Sequence, residues 1–595
     1  MSNTTKGGIF LIKETPYNEI FTLEDLSEEQ LMMRDAVKEF VDKEIWPNKA
    51  RFEAKDYALT EDVMKKIGEM GLLGVSIPES YGGMGMGFSS TMLACDYISG
   101  ATGSIATAYG AHTGIGVLPI YLYGNEEQKQ KYLPKLVTGE WFGAYCLTEP
   151  DAGSDANSGK SKAVLSEDGT HYKITGQKMW ISNAGFAKLF IVFARIENDE
   201  NITGFIVERD DNNGISYGEE EHKLGIRSSS TRQVFFNETK VPVNNLLGER
   251  NKGFKIAMNA LNVGRIKLAA ACLDAQRRVI NNGINYANER KQFGVSISNF
   301  GAIKLKIAEM VTQCYVSEAG CYRAAKNMED AINTNLEAGL SHSEAELKGV
   351  EEFAIEASIL KVFVSEAVQY CSDEGIQIFG GMGFSEDTPM ESAWRDARIA
   401  RIYEGTNEIN RLLSVGMLVK RAMKGQLDII SPAMAVAEEL MGIPSFDMPD
   451  YSELVSEEKE IVSKLKKVFL MIAGNAVKKY GMELEKQQQL LLNAADILIE
   501  IYMAESAILR AEKMTNTNQE NATIAIACAK LNLFKAVEKI TNKAKEAIIS
   551  FTETDEQRVM LSGLKRFTKY NNFPNIIELR NQIAEDAIAK NGYNL

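Results

Sequence analysis

The feature that most constrains the fold of this chain is a hydrophobic period that changes twice along its length. Apolar residues recur at helical spacing over 27–145, alternate with a period near two over 146–250, and return to helical spacing from residue 251 onward. A period of 3.6 builds helices, whereas a period of two builds strands with one buried face. We therefore expect a mainly α protein with a middle antiparallel β-domain.

The length of the chain predicts several domains. At 595 residues it exceeds the size at which a single hydrophobic core keeps growing. Within the second helical region we expect one long helix from Gly253 to about Gly294, followed by two or three more up to Arg421. Three of the twelve prolines lie between Lys424 and Pro449 and favour a linker there. The predicted division is an N-terminal extension at 1–26, a helical domain at 27–145, a β-domain at 146–250, a helical bundle at 251–423, a linker at 424–450 and a helical C-terminal domain at 451–595.

Composition excludes several classes of function. A net charge of -15 argues against a role built on binding nucleic-acid phosphates. No apolar run approaches the length of a bilayer-spanning helix, and the N-terminus has neither signal-peptide nor transit-peptide character, so we expect a cytoplasmic protein. The seven Cys are scattered and predict buried, reduced thiols. With four His and no ligand-like pair, no metal site is expected.

The segment "ARIARIYEGTNEINR", from Ala397 to Arg411, contains a candidate general base. Glu404 precedes Gly405, a residue type that can adopt backbone angles that others avoid, which suits a general base on a bend between two helices. From the residues alone, an ordinary solvated Glu at a helix end fits the same letters. The preceding arginines, Arg395, Arg398 and Arg401, are expected to brace the bundle.

Five strings in order resemble the acyl-CoA dehydrogenase family: "YCLTEPDAGSDA", "KMWISNAGFA", "ERKQFG", "QIFGGMGF" and "RIYEGTNEI". The resemblance covers about Leu23 to Arg421, and the helical tail together with "NFG" at 299–301 is similar to the very-long-chain branch. It implies a helical N-domain, a β-barrel or sandwich, a four-helix bundle and an extra helical C-terminal domain.

The resemblance also implies a reaction. Glu404 would take the α-proton of a fatty acyl-CoA with a long chain, while FAD takes the β-hydride, giving a trans-2-enoyl-CoA in fatty acid β-oxidation. Electrons would then pass to an electron-transfer flavoprotein. Two other classes stay open: an acyl-CoA oxidase that uses oxygen, and a DNA-binding alkylation-response flavoprotein, which the balanced charge after Gly425 disfavours. Intact Glu404, Thr148 and Trp180 disfavour a scaffold or membrane tether that kept the fold without chemistry.

By the same resemblance, flavin contacts fall into three sets. The first set surrounds the isoalloxazine ring, although a role of Trp180 in core packing remains an alternative. The second set reaches the flavin of a neighbouring subunit, which implies a homo-oligomer, either a dimer or a tetramer. The third set follows Glu404 in the sequence. Glu408 stands where many relatives carry Gln. The sets are Tyr145, Thr148, Trp180 and Ser182; Arg290, Phe293, Gln377, Gly380 and Gly381; and Thr406 and Glu408.

Substrate contacts are expected at Ser154 for the pantetheine arm and at Asn262 and Arg265 near the thioester. A loop turn at Ser154 and a carboxylate partner for Arg265 fit equally well. The segment 102–112, with Ile105, Ala106 and Gly110, resembles the helix that lines the acyl tunnel, although small residues also suit plain helix packing, and His112 is expected to be a core residue. The Lys-rich amphipathic helices after Tyr451 fit either a solvated face or contact with a membrane.

Overall fold

A computed structural model describes residues 5–442 and 451–595, and in it the helical, β and helical regions follow in the predicted order. The first helix begins after Ser27, whose Oγ accepts a hydrogen bond from Gln30 N at 3.2 Å. The N-terminal domain contains α1 (Glu28–Phe40), α2 (Lys49–Glu53), α3 (Tyr57–Glu69), α4 (Phe88–Ser99), α5 (Gly103–Gly110), α6 (Leu118–Tyr123) and α7 (Glu126–Val137).

The middle domain is a sheet of eight strands with the order β6-β7-β3-β2-β4-β5-β8, and β1 beside β4. Most neighbours are antiparallel as predicted, but β4 pairs in parallel with both β1 and β2. The strands are β1 (Gly143–Cys146), β2 (Lys162–Leu165), β3 (His171–Ser182), β4 (Leu189–Ile196), β5 (Thr203–Glu208), β6 (Ile215–Tyr217), β7 (Thr231–Pro242) and β8 (Leu246–Leu247).

The helical bundle differs from its prediction in two details. The expected single long helix ends at Cys272, whose N donates to Ala269 O, a tight closing turn that apolar spacing does not reveal. The expected long helix is thus two helices, α8 and α9, and five further helices follow them instead of two or three. The elements are α8 (Gly253–Ala271), α9 (Leu273–Glu289), β9 (Lys291–Gln292), β10 (Val295–Ser296), α10 (Gly301–Glu337), α11 (His342–Glu352), α12 (Ala354–Phe379), α13 (Met390–Ile399) and α14 (Asn407–Met423).

One stretch of this bundle is apolar and long enough to be compared with a membrane span. Its best window, within Gly253–Glu289, has a mean hydropathy of 1.2, whereas no apolar run was expected to approach the length of a membrane span. Since 83% of the window is buried inside the protein, the stretch forms core helices α8 and α9 of the bundle.

The region predicted as a linker, 424–450, contains helix α15 (Ile430–Met441), while 443–450 lie outside the described residues. Pro432 lies in the first turn of α15, where its missing N–H costs nothing, so this proline does not break the helix. The C-terminal domain then contains α16 (Ser456–Tyr480), α17 (Gln488–Asn516), α18 (Ala522–Phe551), α19 (Thr554–Phe567) and α20 (Ile576–Ala589).

The N-terminal extension is packed into the protein. Phe10 and Leu11 are buried, and Gly8 N donates to Glu356 of α12 at 2.7 Å. Glu24 accepts hydrogen bonds from Arg510 of α17. The segment therefore joins the bundle to the C-terminal domain. All seven thiols are free and buried, as predicted.

Candidate active site

Glu404 lies in the tight turn between α13 and α14, so the predicted bend is confirmed. Its φ is 57° and that of Gly405 is 79°. Positive φ is unstrained for glycine but costs free energy for a glutamate, and such strain persists where the surroundings impose it. The turn thus holds Glu404 in a conformation that its own backbone does not prefer.

The carboxylate of Glu404 is pressed against α8. A Cβ atom added to Gly264 would lie 2.4 Å from Glu404 Oε2, so any larger residue here would displace the carboxylate from its position. Oε2 is buried and has no hydrogen-bond partner among the described residues. Burial raises the pKa of Glu404 to about 7, against the opposing charges of Arg265 and Lys361.

Two predicted substrate residues lie beside this carboxylate. Arg265 Nη1 donates to Asn262 Oδ1 at 2.7 Å, and Arg265 Nε points to the Glu404 carbonyl oxygen at 3.4 Å. Both side chains are at least nine-tenths buried. Arg265 forms no ion pair in the described part of the chain, which disfavours the alternative of a simple carboxylate pair, and burial lowers its pKa to about 10.

Lys361 of α12 is a functional candidate that the sequence analysis missed. Its Nζ donates to Gly405 O at 2.8 Å and to Asn407 Oδ1 at 2.7 Å, directly beneath the turn. Burial lowers the pKa of Lys361 to about 7. The available signal was a single lysine within the apolar run "ASILKVFV".

A chain of polar contacts runs from this turn into the C-terminal domain. Asn407 Nδ2 donates to Glu366 Oε1 at 3.0 Å, and Arg411 binds both oxygens of Glu366 at 2.9 and 3.0 Å. Arg411 Nε also donates to Asp496 Oδ1 of α17 at 2.8 Å. The C-terminal domain therefore contacts α14 near its N-terminal end, a few residues after Glu404.

Trp180 has the geometry of a ligand-facing residue. Its side chain is 55% exposed, its φ is 60°, and it lies where the β3–β7 register shifts between Lys178 and Ile181. The alternative of a core tryptophan is therefore wrong, because a bulge turns the ring out of the sheet. Ser182 is half-buried two residues after Trp180, and the half-buried Thr148 lies next to the strand, because its carbonyl oxygen accepts a hydrogen bond from Met179 N.

Tyr145, near the end of β1, is a residue of the sheet whose pKa is affected by the charge of Glu404. Its hydroxyl is buried without a hydrogen-bond partner among the described residues. The pKa of Tyr145 is raised, first by burial and then by the charge of Glu404, so the two side chains lie near each other. The Tyr145 hydroxyl and Glu404 Oε2 both have hydrogen-bonding capacity that the described residues do not use, and a polar ligand could bind to either.

The second predicted set of flavin residues forms a separate, exposed surface. The ends of α9 and α12 meet there, because the rings of Tyr286 and Phe379 stack with centroids 4.1 Å apart. Phe293 is 94% exposed, and no hydrogen bond or ring contact within the described residues joins this surface to Thr148, Trp180 or Ser182. The exposed members are Arg290, Phe293, Gln377, Gly380 and Gly381.

The remaining predicted residues have simpler surroundings. Thr406 caps α14 by accepting from Ile409 N at 3.3 Å, whereas Glu408 and Ser154 are exposed. His112 is a core residue as expected, since Gly143 N donates to its Nδ1 and its Nε2 lies 2.9 Å from Leu136 O. Arg395 braces the bundle through Glu391 and Glu53.

Family comparisons cover most of the chain. Residues 27–140, 144–239 and 251–416 match the N-terminal, middle and C-terminal domains of acyl-CoA dehydrogenase, and residues 464–566 match a further acyl-CoA dehydrogenase C-terminal domain. A probable acyl-CoA dehydrogenase of Bacillus subtilis is 41% identical, covering 98% of this chain and 97% of that protein. The human very long-chain specific acyl-CoA dehydrogenase of mitochondria is 41% identical over 59% of this chain and 52% of its own length.

A solved structure is similar over almost the whole fold. The crystal structure of an acyl-CoA dehydrogenase complexed with FAD from Bacillus anthracis has a TM-score of 0.96 and 41% identity, covering 99% of this chain and 100% of that one. The similarity therefore includes the C-terminal helical domain.

Proposed function

This chain belongs to the acyl-CoA dehydrogenase family, a family of flavin-dependent oxidoreductases, and from that premise we propose that it converts a long-chain fatty acyl-CoA to its trans-2-enoyl-CoA. The observation that carries the proposal is the buried oxygen Oε2 of the half-buried Glu404, which has no hydrogen-bond partner among the described residues. A base held in this way is available to a substrate proton and to no group of the protein that we describe.

The protein's part in the reaction is proton removal. The proton on the substrate α-carbon passes to the Glu404 carboxylate, which is basic enough because burial raises its pKa to about 7. FAD supplies the acceptor for the hydride that leaves the β-carbon. Arg265 and Asn262 border the same space and favour the negative charge that develops at the thioester oxygen.

The residues present fit FAD. The exposed Trp180 ring offers a flat surface to the isoalloxazine, and Tyr145, Thr148 and Ser182 offer hydroxyls. Arg290 would bind the pyrophosphate, with Phe293, Gln377, Gly380 and Gly381 around it. Because this second surface lies apart from Trp180 within one chain, we propose that it serves the flavin of a second copy, so the enzyme is a homo-oligomer. Thr406 and Glu408 would border the adenosine side.

Three finer assignments complete the proposal. Ser154, in an exposed loop, would contact the pantetheine arm of the substrate. Electrons would leave through an electron-transfer flavoprotein in the cytoplasm, as part of fatty acid β-oxidation. Amphipathic helices of the C-terminal domain would allow peripheral contact with a membrane.

Anaerobic bleaching of the flavin absorbance tests the proposal. A panel of acyl-CoAs of roughly four to twenty carbons should bleach it, with affinity rising as more methylenes are buried. Reoxidation by an electron-transfer flavoprotein without peroxide release is expected, whereas rapid oxygen consumption would make the enzyme an oxidase. If no acyl-CoA bleaches the flavin, the proposed function is wrong. Size-exclusion chromatography with light scattering would give the oligomeric state.

A further inference from the structure

Lys361 is a buried lysine of α12 that no carboxylate neutralises by direct contact. Its side chain is fully buried, and no ion pair of 4.0 Å or less involves it within the described part of the chain. A buried amino group is costly to ionise, and fully buried lysines are rare unless they are paired. An apolar side chain of similar volume would fill the same space at lower cost. The position of this lysine therefore has a reason beyond packing.

The Nζ atom of Lys361 faces the turn that carries Glu404. It donates to the carbonyl oxygen of Gly405 at 2.8 Å and to Asn407 Oδ1 at 2.7 Å. Asn407 is itself fixed, because its Nδ2 donates to Ser365 Oγ at 3.1 Å, about one helical turn further along α12. The amino group thus has a defined position beside the backbone of the residue that follows the base.

The turn is held by its carbonyl oxygens. Asn410 Nδ2 lies 3.2, 2.8 and 3.1 Å from the carbonyl oxygens of Glu404, Gly405 and Thr406. The Gly405 carbonyl therefore accepts from Asn410 of α14 and from Lys361 of α12. Because a glutamate with positive φ is strained, the conformation persists only where its surroundings impose it. Lys361 is one of the groups that impose it.

The charges of Lys361 and Glu404 act on each other. Burial raises the pKa of Glu404, and the charges of Arg265 and then Lys361 oppose that rise. Burial lowers the pKa of Lys361 to about 7, and the charge of Glu404 opposes that fall. Each group thus favours the charged form of the other, and the two titrate as a coupled pair. The other groups that face this pair are Arg265 of α8, Cys272 between α8 and α9, Tyr145 of β1, Tyr403 of the turn and Glu408 of α14.

We propose that Lys361 is a positioning residue for the base: it holds the Glu404 turn through the Gly405 carbonyl, and its buried ammonium group keeps Glu404 ionised and ready to accept the substrate α-proton. This inference rests on the proposed function. Without the ammonium charge, a larger fraction of Glu404 would be protonated at neutral pH, and a protonated base accepts no proton. Lys361 contacts the backbone of the turn and not the carboxylate, so it acts through Glu404.

The pH dependence of flavin reduction in the FAD-loaded enzyme tests this role. The second-order rate constant with palmitoyl-CoA, measured from roughly pH 5 to 9, follows the base in the free enzyme. Lys361→Met should move the rising limb about one unit to higher pH, because loss of a positive charge favours protonated Glu404. The rate constant should then fall about tenfold below the pKa and by less as the pH rises. Lys361→Arg retains the charge, so its rising limb should stay near the parental position.

A buried lysine elsewhere supplies the matched control. Lys466 is 7% exposed and pairs with Glu505 inside the C-terminal domain. Lys466→Met should lower the urea-unfolding midpoint and leave the pH profile unchanged, because no contact joins it to the Glu404 turn in the described part of the chain. If Lys361→Met does not fold, Lys361→Gln removes the same charge with a polar side chain and should show the same shift.

Infrared spectroscopy records the ionisation of Glu404 without turnover. A protonated-carboxyl band that is present in the parent and absent in Glu404→Gln belongs to this residue. In Lys361→Met the band should persist to a pH about one unit higher than in the parent. This measurement needs no substrate, so it does not depend on the proposed reaction.

The outcomes separate the two proposals. Failure of every acyl-CoA to bleach the flavin would overturn the proposed function, and with it the part of Lys361 in the reaction. Normal bleaching together with a parental pH profile and a parental infrared titration in Lys361→Met or Lys361→Gln would overturn this inference alone. A rate that falls by the same factor at every pH would also overturn it, and would leave Lys361 as a support of the turn without influence on the charge of Glu404.

Discussion

Glu404 and Glu318 are both acidic side chains of the helical bundle with a buried oxygen, but their surroundings differ. Glu318 is 1% exposed and accepts hydrogen bonds from Arg277 at 2.7 Å, Arg510 at 2.9 Å and Tyr593 at 2.6 Å. Glu404 has a buried oxygen with no partner among the described residues, and it stands on a strained turn. Protein groups use the hydrogen-bonding capacity of Glu318, whereas Glu404 Oε2 has no hydrogen bond from the described residues.

The difference separates a carboxylate that holds the structure together from one that stays available for the proposed reaction. The partners of Glu318 come from the bundle, the C-terminal domain and the chain terminus, so this carboxylate joins three parts of the molecule. Glu404 contributes no such link, and its burial instead raises its pKa to about 7. Replacing each residue should therefore affect different measurements.

Glu404→Gln should have the largest effect on catalysis. Removing a general base lowers the rate by about 10²–10⁴-fold, so stopped-flow flavin reduction by palmitoyl-CoA should slow by that factor. Folding should be preserved, because no hydrogen bond to Oε2 is lost. Glu249→Gln, at an exposed position, is the matched control. Reduction at the parental rate would show that another group removes the proton.

Glu318→Gln should instead lower stability. The change costs roughly 1–3 kcal/mol, because Arg277 keeps Asp96 and Arg510 keeps Glu24, but each loses its buried bond to a charged Glu318. The urea-unfolding midpoint should fall accordingly, while the rate of flavin reduction per folded enzyme should change little. Glu337→Gln, exposed on the same helix, should have no effect on the midpoint. An unchanged midpoint for Glu318→Gln would contradict the structural role.

The pH dependence of kcat/KM should follow the ionisation of Glu404. Only ionised Glu404 accepts a proton, so kcat/KM should rise about tenfold per pH unit below the pKa and level off above about 7. Arg265 favours the ionised form, so Arg265→Gln should move the profile to higher pH. A flat profile between roughly pH 5 and 8 would be incompatible with a base of this pKa.

Asp496→Asn should have the smallest effect, because Asp496 only helps to position α14 through Arg411. It removes the negative charge that Arg411 meets in the C-terminal domain, while Glu366 continues to bind Arg411. We expect kcat to fall a few-fold, roughly 1 kcal/mol, with KM nearly unchanged, because the α14 turn is loosened and the acyl site is not. Asp555→Asn, fully exposed on α19, is the control. A rise in KM without a change in kcat would exclude this positioning role.

Several parts of the candidate site could be read from local sequence because local rules govern them. The spacing of apolar residues determined the order of helices and strands, and Gly405 predicted the bend at Glu404. The orientation of Trp180 could not be read in this way, because it depends on a register shift between β3 and the distant strand β7. Helix α15 was not predicted, because the prolines of its region were read as helix breakers. Pro432 lies in the first turn of the helix, where a proline is tolerated.

The sequence by itself determined the order of the secondary structure, the family resemblance and the presence of a carboxylate on a helix bend. Tertiary structure alone decided what that carboxylate does: Gly264 makes room for it, Lys361 reaches its turn from 44 residues away, and Asp496 meets Arg411 across 85 residues. The physical reason is that burial and pairing set the pKa and the free hydrogen-bonding capacity of a side chain, and both depend on residues brought together only by folding.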